Sequence, residues 1–122
     1  MTDINMLTTK ELNFVVAHLE EIEVDEDCYG FDEYGNPCAE YSPSTEWSEA
    51  GPIIEEQKIC IQYIPETKMW RAHNGKVSVQ YSTPLNAAMH CYAQTKLKSR
   101  KVDMKKIYEA LQIVKEGDNE KV

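Results

Sequence analysis

The chain has no stretch of about 18 consecutive apolar residues, the length a membrane-spanning helix needs. Its longest aliphatic or aromatic run is Phe14-Val15-Val16-Ala17. The first ten residues lack the basic start and apolar middle of a secretory signal. No two of the four cysteines, Cys28, Cys38, Cys60 and Cys91, form a CxxC pair, and no leader points to an oxidising compartment. Reduced thiols in a cytoplasm are the expectation. The glycines are few and scattered, so no phosphate-cradling loop is present. His18, His73 and His90 share no HxH or HxxxH spacing. His90 and Cys91 are adjacent, and neighbours on a helix point about 100° apart, a poor geometry for joint chelation. Asp25, Asp27 and Gly30 fit the first, third and sixth positions of a calcium loop. Tyr29 brings no carboxylate, however, and Asn36 cannot replace the closing bidentate glutamate. No nucleophile elbow or local triad exists. Cys91 beside His90 is the one candidate reactive thiol, and a small buried residue on a core helix is its plainer reading. No metal, no cofactor, no catalytic residue and no enzymatic activity are therefore expected.

What is present is ordinary for a globule. The 122 residues are 42% hydrophobic and 28% charged, enough for one buried core. The formal charge of −8 is unevenly spread. In residues 1–66 only Lys10 and Lys58 are basic, against 16 acids, while residues 67–122 carry 11 bases and five acids. An acidic half disfavours nonspecific DNA binding, because phosphate repels it. It suits a basic partner, which it would steer in by charge.

Thr8 and Glu11 have capping-box spacing, and Leu12, Val15, Val16, Leu19 and Ile22 fall on one helical face. They predict an amphipathic helix from about residue 8 to 22. Residues 24–56 carry Gly30, Gly35, Asn36, Pro37, Pro43 and Gly51-Pro52 with no sustained period. They read as a long, ordered, acidic loop, with at most a short strand near 37–42. Alternation in 57–64, 69–73 and 76–81, with turns at 65–68 and at Asn74-Gly75, predicts a three-stranded antiparallel meander. Thr83 and Pro84 open a second helix, whose stripe is Leu85, Ala88, Met89, Tyr92, Lys96 and Leu97. Asp103 caps a third over 103–116, stopped by Gly117. The expectation is one α+β domain over 1–117, the meander packed by two or three helices, with a frayed tail at 118–122.

Two stretches invite a binding role. Residues 41–55 mix hydroxyls, acids and a tryptophan between rigid prolines, and Tyr41, Ser44, Thr45, Trp47 and Glu55 are the candidate contacts. Trp47 and Ile53-Ile54 would serve equally as a plug over the open side of the core. Between Lys96 and Lys106 lie six bases, which would meet an anion, the chain's own acidic half or a second copy. Arg71, Arg100 and Lys101 are the candidate phosphate contacts.

Segment 41–55 resembles the hallmark of the NinX-like proteins of tailed bacteriophages. Leu12–Glu20 resembles that family's first helix, Ile59–Ala72 its hairpin, and Thr83-Pro84-Leu85-Asn86-Ala87-Ala88-Met89 its second helix. The resemblance covers roughly residues 7–97. It departs at His90, where the family usually has a base, and in the added helix at 103–116. It implies a phage or prophage protein acting in the bacterial cytoplasm, with no established catalytic residues. Two functions then stand open. One is a non-enzymatic accessory protein binding a host component, such as a defence or nucleic-acid-processing protein, through the acidic aromatic surface. The other is a small-ligand binder that sequesters a signalling nucleotide, with homo-oligomers sharing pockets.

Overall fold

The computed structural model describes residues 1–111. They form β1 (Thr2–Asp3), α1 (Thr9–Leu19), β2 (Tyr29–Phe31), β3 (Pro37–Glu40), α2 (Trp47–Glu56), β4 (Cys60–Ile64), β5 (Met69–His73), β6 (Ser78–Tyr81), α3 (Pro84–Leu97), β7 (Lys101–Val102) and α4 (Met104–Ala110). The fold class is α+β, as the sequence pattern predicts. The principal sheet is the antiparallel meander β4-β5-β6. Trp70 pairs with both Tyr63 and Tyr81, and Ala72 with both Ile61 and Val79, so these residues share the face that meets α3.

α3 is the centre of the molecule. Leu85 and every residue from Ala87 to Gln94 are buried. Ala87, Ala88 and Ala93 carry little bulk, so sheet, α1 and α2 can all press close against this helix. Thr83 accepts from the Asn86 N–H and Pro84 fills the first turn, as expected. Lys96, which the helical stripe includes, is exposed, because burial ends at Gln94.

The Thr8–Glu11 capping box forms both its bonds, at 3.1 and 2.9 Å. α1 stops at Leu19, short of residue 22, in a Schellman turn. Glu21 takes a positive φ, and Ile22 N–H bonds back to Ala17 at 2.9 Å. α2 ends the same way, with Lys58 left-handed and Ile59 bonded to Ile54. In both cases an isoleucine follows the turn and packs on the core, which holds a non-glycine residue in a conformation it otherwise disfavours.

Residues 24–56 depart most from expectation. β3 falls on the short strand expected near 37–42, but the segment also holds β2, which completes a hairpin, and the ten helical residues of α2 in place of one loop. Two matching turns build the hairpin. Asp25 accepts from the N–H groups of Asp27 and Tyr29, and Asp32 from those of Tyr34 and Asn36, all at 2.9 Å. The residue three beyond each aspartate, Cys28 or Gly35, takes a positive φ. These aspartates thus satisfy backbone donors. α2 hid in the sequence because Glu46 caps it without a side-chain bond and Pro52 sits inside it. The apolar spacing Ala50, Ile53 and Ile54 was its signal, and those residues do face the core.

At Asn74-Gly75 only Gly75 has a positive φ; Asn74 turns the chain by accepting from the N–H groups of Lys76 and Val77. The β1–β7 pair was not anticipated; it ties the start of the chain to the α3–α4 connection. Asp103 caps α4 as predicted, accepting from the Lys106 N–H, and Tyr108 of that helix meets Phe14 of α1 edge-on at 5.3 Å. Residues 112–116 of the expected third helix, the Gly117 stop and the 118–122 tail lie outside the described residues. Among the described residues no helix is long and apolar enough to cross a membrane.

Candidate functional site

The acidic half of the chain carries an exposed hairpin, β2–β3. Every residue from Phe31 to Glu40 is exposed, so the hairpin projects from the body. It carries Tyr29, Phe31 and Tyr34, the last 81% exposed, beside Asp32, Glu33 and Glu40. Large apolar rings left in water cost free energy unless something covers them. No lysine or arginine lies between Lys10 and Lys58. Among the described residues the one ion pair here, Lys10–Asp27 at 3.5 Å, is solvent-exposed and weak.

The hairpin's foot is rigid. Cys28 is fully buried; its thiol donates to the Tyr41 carbonyl at 3.4 Å, and Tyr41 N–H donates to the Cys28 carbonyl at 2.7 Å. Asn13 of α1 then holds the next turn, donating to Ser42 Oγ at 3.3 Å and accepting from Ser44 N–H at 3.1 Å. Ser42 N–H donates to Glu49 of α2, and the Ser42 and Thr45 hydroxyls bond each other. Buried polar chains of this kind fix one geometry because any broken member leaves a desolvated group behind. Hairpin and α2 are thereby held in one orientation.

The candidate contacts separate accordingly. Trp47, first in α2, is 58% exposed, and Thr45 and Glu55 are exposed near it in sequence. Tyr41 is half-buried and packs on the core; burial, then Glu20 and Glu49, push its phenol up. Ser44 is buried and belongs to the supporting turn. Arg71, Arg100 and Lys101 lie elsewhere, toward the sheet and β7. Arg71 sits on β5, opposite Gln62 and Gln80, with its Nε buried and unpartnered. Lys101 pairs with Asp3 across β1–β7 at 3.8 Å. Arg100 borders an open hollow of about 550 Å³ along β6. α3 touches both the sheet and α2, so the two sets of candidates are parted by the central helix. The exposed hairpin aromatics Phe31 and Tyr34 were not among the candidate contacts; acids interleaved with aromatics at a turn were the available signal.

The cysteines offer a check on this arrangement. Burial pushes the Cys28 thiol up to about 12 and the Cys91 thiol up to about 11. Cys38 and Cys60 are exposed. Because the thiolate is the reactive form, iodoacetamide at neutral pH should modify Cys38 and Cys60 in the folded protein. All four should react in denaturant. Rapid native-state labelling of Cys28, read by peptide mass spectrometry, would mean the hairpin's foot is open.

The family described as bacteriophage P22, NinX has a family model that matches residues 3–96. The matched span runs from β1 into the last turn of α3 and takes in the hairpin, α2 and the meander. No curated protein matches the chain.

Proposed function

The chain belongs to the bacteriophage P22 NinX family and is a phage accessory protein; from that premise we propose that it acts without catalysis, binding a basic face of a host protein in the bacterial cytoplasm. The observation that carries this reading is the hairpin: three exposed aromatic rings among acids, on a hydrogen-bonded foot, with no lysine or arginine in the hairpin's own sequence. Aromatic anchors supply most of the energy of a typical protein interface, while surrounding charge sets partner choice and encounter rate. Trp47 adds a fourth exposed ring at the start of α2, whose first turn is bonded to the hairpin's foot. Prearranged backbone lowers the ordering cost of binding.

The test is a pull-down from bacterial lysate with wild type, Trp47→Ala and the double variant Phe31→Ser/Tyr34→Ser. Since all three side chains are exposed, the variants should melt within a degree or two of wild type. Loss of an anchor typically costs about 2 kcal/mol, so capture of the identified partner should fall roughly thirtyfold. Capture by wild type should also weaken steeply with salt. Identical profiles at unchanged stability would remove this face from consideration. Turnover of any substrate, abolished by one side-chain change, would remove the non-catalytic reading altogether.

A further inference from the structure

We propose that the hollow beside β6 binds a small organic phosphate of the nucleotide class, on a face separate from the acidic hairpin. β6 is an edge strand, since the sheet order is β4-β5-β6. Two adjoining open spaces of about 550 and 490 Å³ lie along it and the end of α3, within the range of small-molecule sites. Gln94 and Arg100 border both.

Three features give the hollow its chemistry. The first is charge. Arg100 lines both spaces and Lys76 and Lys98 line the smaller one, and among the described residues no acid lines either. Among the described residues none of these three cations has an ion-pair partner. The α3 C-terminus opposes an anion with about half a negative charge, which three full positive charges outweigh. Arginine suits a phosphate in particular, because its planar fork donates two parallel bonds.

The second feature is an unsatisfied donor. Gln94 is 7% exposed, and its Nε2 has no hydrogen-bond partner. Buried amide donors are almost always paired, and an orphan costs roughly as much as a lost hydrogen bond. Gln94 belongs to the wall shared by both spaces, so a turn of its side-chain amide would bring this donor to a ligand acceptor.

The third is a fixed wall. Tyr81 lines the hollow, stacks on buried His90 with ring centres 3.8 Å apart, and donates its hydroxyl to Asn5. Met69 and Val79 add apolar surface beside it. Arg100 and Gln94 on the shared border, two lysines on the smaller space and a ring-bearing, partly apolar wall on the larger one fit a phosphate carrying a flat organic group. An extended polyanion needs a continuous basic track with aromatic platforms, and Lys101, next along the chain, is already paired with Asp3.

NMR titration tests this on wild type, Arg100→Gln and Gln94→Met, with inorganic phosphate, adenosine monophosphate and a short single-stranded oligonucleotide as probes. Adenosine monophosphate should shift the Gln94 side-chain amide and bind more tightly than inorganic phosphate. Arg100→Gln should weaken it at least tenfold. Gln94→Met should weaken it too while melting at or above the wild-type temperature, because it removes an orphan donor and keeps the volume. The proposal fails if adenosine monophosphate causes no shift. It fails if both variants bind as wild type does, or if the mononucleotide binds no better than inorganic phosphate. Binding of the oligonucleotide without the mononucleotide would also overturn it. None of these outcomes touches the pull-down, which reads the opposite side of α3.

Discussion

Acidifying the protein from near neutrality should cost roughly 3 kcal/mol of folding stability, and His90→Phe should abolish most of that loss. His90 is 3% exposed, its Nδ1 has no partner, and no acid or hydrogen bond offsets its desolvation. Burial therefore pulls its pKa from 6.5 down to about 4. In the unfolded chain the ring takes up its proton near 6.5; in the folded protein it does so only near 4. Between those values the unfolded state binds more protons, so stability falls as pH falls through this window. It is flat in this group above the upper value, where both states are neutral, and again below the lower one, where both are charged. At about 1.4 kcal/mol per pH unit of separation the loss is roughly 3 kcal/mol, a large share of the 5–15 kcal/mol that folds a typical domain. Phenylalanine keeps the flat ring against Tyr81 and has no proton to bind. Urea midpoints between about pH 4 and 7 should slope for wild type and run nearly level for His90→Phe. Parallel slopes would show that other groups carry the acid sensitivity.

His90 also shows where a sequence stops being legible. Its neighbours Ala87, Ala88, Met89 and Cys91 read as a core helix, and so they are. A lone histidine there carried no signal of its own, because its pressure against Tyr81 depends on β6 arriving from ten residues earlier. Signals that close within a few residues were readable: Thr8 with Glu11, Thr83 with Pro84, and the alternation of β4 and β5. Signals that compete locally were not. Gly51-Pro52 looked like a break, yet the burial of Ala50 and Ile53 against α3 outweighs one missing backbone bond. The hairpin's glycines and aspartates looked like loop, because both of its turns use side-chain oxygens as backbone partners. Of the candidate site residues, Trp47 was conspicuous as an aromatic in a polar run and Arg100 as part of a basic cluster. Gln94, Lys76 and Lys98 come together only through tertiary packing at the end of α3, which neither composition nor period encodes.

Truncating Tyr92 should be the most damaging single change, at roughly 3–5 kcal/mol for Tyr92→Ala. The side chain is 1% exposed on the central helix, the largest of the fully buried residues. Its hydroxyl donates to Glu20 at the end of α1, and its surroundings reach Tyr41 and Glu56. Burial, then the Glu20 bond, push its phenol up, so it remains a donor at any ordinary pH. The ring thus fills the joint where α1, α2 and the hairpin's foot meet α3, and no neighbour can collapse into its place without moving one of them. Tyr92→Phe keeps the ring and loses one hydrogen bond; Glu20 stays partly exposed and can turn to water, so the cost should be only about 1 kcal/mol. The two variants divide packing from hydrogen bonding in one measurement. If both shift the urea midpoint equally, the hydroxyl and not the ring holds the joint. If Tyr92→Ala is far worse, the ring does, and partner capture through Trp47 and Tyr34 should fail in that variant even at temperatures where the meander remains folded. The acidic face is presented only while this joint stays filled.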